Sequence, residues 1–340
     1  MRNHGVDSAR GLAIAVMIIA NAAPYILTDI AVPLVARAVF SLAAPTFIFI
    51  SGYTLRMNIE AGRPVKMLRM RAIQVLMMGV VLDALCWNSL PFGTFDVLYL
   101  IGSALLILIA MKDCSTVTLW WITAGIAAAA LLAPEFIEYR FQNPDHALSI
   151  EASIRMISDP MSMAQRFLYD GWFPVIPWLA LAIGGSLVRI HEPSLMRWKS
   201  HVLITGLMLI LMGGLLYRQF PSLAHPVREG YLELFYPVNG PYWLILCGTG
   251  LTAGALSMHR NFSVPFITSV GTVSLFVYVL HSVAIRGYLS LASSSTPEVR
   301  FAVMGALLMG VLTIAWFLQR TSPSWRNIKW LKPLLFLIGL

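Results

Sequence analysis

Charge is scarce in this sequence. Only 12% of its 340 residues are Asp, Glu, Lys or Arg, against about 25% in ordinary soluble domains. That shortage excludes a solvated globular surface of the usual kind. Cysteine is scarcer still. There are three, an odd number; Cys86 and Cys247 lie inside apolar runs and Cys114 lies just after one. No CxxC pair and no Cys/His ligand spacing occurs, which predicts neither a disulfide framework nor a metal site. No internal repeat is visible either, which argues against a transporter built from inverted halves.

What the chain has instead is apolar length. It is 58% hydrophobic, with a mean hydropathy of +0.74, and its apolar runs reach the roughly 20 residues that a bilayer-crossing helix needs. The expected fold is all-α: a polytopic membrane helix bundle of about ten spans, forming one membrane-embedded domain over 1–340. The spans fall near 11–29, 37–55, 72–90, 94–111, 116–133, 172–190, 201–217, 240–258, 266–288 and 299–318. Ten spans put both termini on one side. If that side is cytoplasmic, 16 of the 24 Lys and Arg residues lie inside, as the positive-inside rule requires. The net charge of +8 then reflects orientation rather than a nucleic-acid partner. Membrane lipid is the expected surroundings, and the inner (plasma) membrane of a cell the expected location. A signal peptide cleaved near Ala22 is the rival reading of the first span. Against it stand Asp7 in the basic region and the nine spans that would remain.

The longest connection, about 134–171, is expected outside the membrane. It reads either as an amphipathic helix on the surface or as a lid over a binding site. The tail at about 330–340 is too short to span and is expected at the interface. Glycines 248, 250 and 254 form a small-residue face that permits helix association, including a homodimer.

The first span, "DSARGLAIAVMIIAN" (7–21), carries Arg10 and, eleven residues later, Asn21. Eleven residues at about 100° and 1.5 Å each return to nearly the same helix face, about 16 Å deeper. Asp83 sits about eleven residues into the third span and His281 about fifteen into the ninth. All three spans run the same way, so Asn21, Asp83 and His281 share a layer. Polar groups at such depth face a bundle interior or a wet cavity. Each also has a plain structural reading: Asn21 as helix-packing glue, Asp83 paired within the bundle, His281 bonded to a neighbouring helix, Arg10 as a snorkelling anchor. Trp178 lines the same cavity or simply packs. The basic residues Arg56, Arg63, Lys66, Arg69 and Arg71 attract acyl-CoA or anionic lipid, or serve orientation alone.

"DSARGLAIAVMIIAN" resembles the first helix of the heparan-α-glucosaminide N-acetyltransferase family, within the wider transmembrane acyltransferases. In order, "APTFIFISGYTL" (44–55), "FDVLYLIGSALLILIA" (95–110), "FPVIPWLALAIGGSLV" (173–188) and "GTVSLFVYVLHSVAI" (271–285) resemble later family segments. The resemblance implies transfer of a short acyl group, most often acetyl, from cytoplasmic acetyl-CoA or another acyl-CoA to an extracytoplasmic glycan or lipid-linked sugar. It implies Arg10 as the group that holds CoA phosphates, with Asn21 and His281 near the reacting acyl group and His281 as general base. Asp83 and Asp96 stand behind them as candidates. In two respects the chain departs from the family. The segment between the first two spans carries no His, and Asn21 stands where wider superfamily members place one; either His281 or a carboxylate among Asp29, Asp83 and Asp96 takes the proton, or transfer activity is lost. Two other readings stand beside the enzyme: a carrier or flippase-like protein, and a degenerate acyltransferase kept as a scaffold.

Overall fold

The computed structural model describes residues 3–27, 31–87, 89–132, 154, 158–220, 232–235, 238, 240–292 and 296–325. Asp29, the greater part of the 134–171 connection and the 330–340 tail lie outside the described residues.

Helix boundaries follow local chemistry. Helix α1 (His4–Ile26) starts where Asn3 accepts the Val6 N–H at 3.2 Å, a standard N-cap. Helix α2 (Leu34–Phe40) follows Pro33. Helix α3 (Ala43–Glu60) ends at Gly62, whose φ of +70° suits glycine alone without strain. There the Gly62 and Arg63 N–H groups close back on the Ile59 and Asn58 carbonyls at 3.0 and 3.1 Å, a Schellman-type stop. Helix α4 (Val65–Leu85) begins directly after Pro64. Helix α5 (Val97–Ala110) is capped by Asp96, which accepts the Val97 N–H at 2.6 Å. Then come α6 (Thr116–Leu132), the short α7 (Pro160–Gln165), α8 (Val175–Leu195), α9 (Lys199–Gln219) and α10 (Gly240–Met258). Helix α11 (Pro265–Thr272) carries Pro at its first turn, where the missing N–H costs nothing. Helices α12 (Ser274–Ala292) and α13 (Pro297–Trp325) complete the order. Among the described residues there is no strand.

Among the described residues each of the ten apolar segments lies mostly in helix, with 37–55 divided between α2 and α3. Four stretches among the described residues are long and apolar enough to cross a membrane by themselves: His4–Ile26, Leu34–Glu60, Val175–Gln219 and Pro297–Thr321. A fifth arises if α11 and the first part of α12 count as one broken span. The span expected at 266–288 is not one continuous helix: its two helices meet at 89°. Hydropathy cannot show this, because both arms are apolar. The bend sits at Val273, where ψ turns to +30°.

The chain divides into two compact units, 1–43 with 256–340 and 44–255. In the first, α1 lies along α11 and both meet α13. Glycines set the spacing. A Cβ on Gly11 would strike the Ile267 carbonyl, and one on Gly271 would strike the Asp7 carbonyl. Close backbone approach through small residues is how membrane helices gain packing contact without a hydrophobic drive. In the second unit, α3 crosses α8 in the same manner. Gly52 abuts the Ala182 carbonyl, Gly185 abuts the Phe49 carbonyl, and Ser186 donates to the Gly52 carbonyl at 3.1 Å. The glycines expected to permit a homodimer are used within this unit: Gly248 faces Gly206 and Ile210, Gly250 faces Phe49 and Leu181, and Gly254 faces Val188.

These contacts make a signed prediction. Gly52→Val forces two backbones apart and should lower stability by about 3 kcal/mol, read as a fall in melting temperature in detergent. Gly125→Ala on α6, with nothing within 4 Å of the added carbon, should leave it unchanged or raise it by up to about 1 kcal/mol.

Candidate functional site

In the first unit, α1 is fastened before it reaches the site. Asn3 donates to the Ser257 carbonyl at 2.9 Å. Ser8 donates to the Phe262 carbonyl at 3.0 Å and shares a 2.7 Å hydrogen bond with Thr268. The Thr268 hydroxyl also accepts the Val264 N–H at 3.0 Å. The "DSARG" stretch is thus largely a docking motif: Ser8 ties, Gly11 permits the approach, and Asp7 lies 3.9 Å from the Arg10 guanidinium. Arg10 is half-buried, and its pairing with Asp7 is long.

Further along α1, Asn21 meets His281 of α12. The Asn21 side-chain nitrogen lies 3.0 Å from His281 Nε2, and His281 Nδ1 lies 3.2 Å from the Val277 carbonyl oxygen. These two partners determine the tautomer. A carbonyl can only accept, so Nδ1 carries the proton; the Asn21 amide donates, so Nε2 presents its lone pair. His281 is fully buried, and its ring stands edge-on to Tyr278 at 5.2 Å between centroids. It is the one buried histidine among the described residues. One turn along, Ala22, Ile26 and Ile285 form an apolar cluster backed by Tyr25, Leu27, Val303, Met304 and Leu307.

The other carboxylates have different surroundings. Asp83, fully buried on α4 in the second unit, accepts from Thr94 at 2.5 Å and from the Tyr99 hydroxyl at 2.7 Å. Tyr99 in turn accepts the Phe92 N–H at 2.9 Å. Phe92 and Phe95 both have positive φ, an uncommon backbone for such residues. Asp83 therefore anchors the strained turn between α4 and α5, and Asp96 closes it as a helix cap. Trp178 is buried against Phe173 and Phe235, with centroids 5.4 and 5.2 Å away. That is packing.

One polar cluster has no counterpart in the sequence reading. In the second unit the buried Tyr53 donates to Glu192 at 2.6 Å, Arg189 pairs with the same carboxylate, and Arg189 reaches Glu60 at 2.8 Å. Arg56 binds Glu60 at 3.2 Å and the Lys112 carbonyl at 3.1 Å. Its signal was present in "SGYTLRMNIE" and "RIHE", where acids and bases recur at the ends of apolar runs. Removing one partner of the buried Glu192–Arg189 pair would leave the other uncompensated, so the pair resists separation of its helices. Among the described residues no group of three or more His, Cys, Asp or Glu side chains is arranged to hold a metal ion.

If Asp83 is an anchor, Asp83→Ala should destabilise by about 2–4 kcal/mol, because it leaves two buried hydroxyls without an acceptor. Adding Tyr99→Phe to that variant should then cost clearly less than Tyr99→Phe alone. A double-mutant cycle of melting temperatures measures the coupling.

A family model described as "heparan-alpha-glucosaminide N-acetyltransferase, catalytic" matches residues 2–213. That is more than half of the chain. It takes in Arg10, Asn21, Asp83 and Asp96; His281 lies beyond it. A search of curated proteins finds no match.

Proposed function

The chain belongs to the family of heparan-alpha-glucosaminide N-acetyltransferase catalytic domains, and from this membership we propose a membrane acetyltransferase that acts on an extracytoplasmic carbohydrate. The proposed donor is acetyl-CoA on the cytoplasmic side, and the acceptor a sugar hydroxyl or amine. The observation that carries the reading is the Asn21–His281 pair: a buried neutral imidazole whose lone pair faces a group that can be displaced.

In this reading Arg10 holds donor phosphate near the start of α1, where a guanidinium suits phosphate oxygens. The acceptor hydroxyl replaces the Asn21 amide as donor to His281 Nε2. His281 takes that proton as the acceptor oxygen or nitrogen bonds to the acyl carbon. The thioester carbon–sulfur bond breaks, and the proton passes on to the leaving sulfur. The Nδ1–H bond to the Val277 carbonyl keeps the ring aligned and steadies the imidazolium while it exists. Water is kept from the ring by the Ala22–Ile26–Ile285 wall. Asp83 and Asp96 support the α4–α5 turn in this account and take no proton.

The same reading counts about ten spans. The 45-residue stretch Val175–Gln219 would measure about 68 Å if straight, over twice the roughly 30 Å hydrocarbon core. Divided at the Met196–Trp198 turn, it supplies two spans. With both termini cytoplasmic, Arg10 lies at the inner rim of an inner (plasma) membrane.

Purified protein in detergent tests this. Acetyl-CoA should raise the melting temperature in a concentration-dependent way, and Arg10→Gln should weaken that response. His281→Gln should keep the acetyl-CoA response yet lower the transfer rate about 100- to 10 000-fold, the usual worth of a general base. If neither acetyl-CoA nor longer acyl-CoAs bind at millimolar concentration, the reading fails at its donor. If His281→Gln transfers acetyl at the full rate, it fails at its base.

A further inference from the structure

We propose that α4 carries a binding strip for an anionic phospholipid, with the lipid phosphate at Lys66 and Arg69 and an acyl chain along Met70, Ile73 and Met77. At about 100° per residue these five positions lie within about 100° of arc on one helix face. Met70, Ile73 and Met77 are 50%, 50% and 49% exposed, so no described residue covers the face fully. From Lys66 to Met77 the helix rises about 16 Å, close to one leaflet of a hydrocarbon core about 30 Å thick.

No carboxylate among the described residues neutralises the cationic end. Among the described residues, Arg10, Arg56, Lys112 and Arg189 each have a carboxylate within ion-pair reach. Arg63, Lys66 and Arg69 have none, and all three are exposed. The first turn of α4 holds no acid, and its cap residue Pro64 offers no side-chain acceptor. The positive end of the helix dipole therefore adds to the two side chains instead of being cancelled. The Schellman-type stop at Gly62 fixes Arg63 at the rim of the same end. Arg71 is turned off the strip and bonds Gln74 at 2.8 Å. A soluble nucleotide would use the cations alone. The bare apolar face that continues from them fits a lipid, whose charge and chain are covalently joined. Clusters of Lys and Arg beside a membrane helix attract anionic headgroups at about 1 kcal/mol per charge.

The test does not depend on acyl transfer. The full chain is reconstituted in phosphatidylcholine vesicles containing a minor fraction of phosphatidylglycerol, extracted, delipidated and assayed for retained lipid by native mass spectrometry. Phosphatidylglycerol should be retained in excess of its vesicle fraction. The Lys66→Gln, Arg69→Gln double variant should bind it about 30-fold more weakly, with an unchanged melting temperature in phosphatidylcholine alone. The Arg197→Gln, Lys199→Gln control should bind it as the parent does. Retention of the two lipids in vesicle proportion would overturn the proposal, as would equal loss in both double variants. Displacement of phosphatidylglycerol by acetyl-CoA would overturn it too, since it would mark a nucleotide site instead.

Discussion

An imidazole deprived of water must find a partner for each nitrogen, and in this protein one amide and one carbonyl provide both. The rest of the first unit is arranged so that they can. Asn21 reaches His281 only because α1 is held against α11 by glycine-to-carbonyl contact at Gly11 and Gly271 and by the Ser8–Thr268 bond. The sharp turn at Val273 then sends α12 away from α11 and leaves His281 beside the deeper part of α1. Were α11 and α12 one straight helix, the fastened end and the histidine end could not take these separate courses. An apolar cluster of Ala22, Ile26 and Ile285 follows the pair along the two helices.

The second unit meets the same constraint with different groups. At its α3–α8 contact the buried Glu192 carboxylate takes both the Tyr53 hydroxyl and the Arg189 guanidinium, and Arg189 also reaches the exposed Glu60. Asp83 resolves the constraint within a single hairpin, by collecting hydroxyls from Thr94 and Tyr99. In both places the glycine crossings bring helices close, and polar groups then decide which pairing is specific. Segments that resemble the family, such as "FISGYTL" and "ALAIGGSLV", are the ones that interlock at Gly52 and Gly185.

Much of this was legible in the sequence. Apolar length located helix within each of the ten segments, and Asn21 and His281, singled out as polar groups within apolar runs, do meet. Depth says nothing of azimuth, however. Asp83 was expected at the same depth, yet it turns toward its own hairpin, because the strained backbone at Phe92 and Phe95 needs an anchor within reach. The break at Val273 was invisible, since hydropathy is blind to direction when both arms are apolar. Glu192 was passed over because it follows Arg189 at the end of a span, where charge usually means solvent. Only the tertiary contact with Tyr53 reveals that it is buried. The resemblance carried the donor, the acceptor and the reaction type, which no periodicity in these residues could supply.

The account depends on His281 holding its proton on Nδ1 with Nε2 free to accept. Nitrogen-15 NMR of histidine-labelled protein, assigned by comparison with His281→Gln, reads that directly. The account predicts a neutral ring with Nδ1 protonated and Nε2 a hydrogen-bonded acceptor, altered at Nε2 but not at Nδ1 when Asn21 is changed to Leu. A ring protonated on Nε2, or on both nitrogens, would contradict it, because the lone pair required of the base would then be absent.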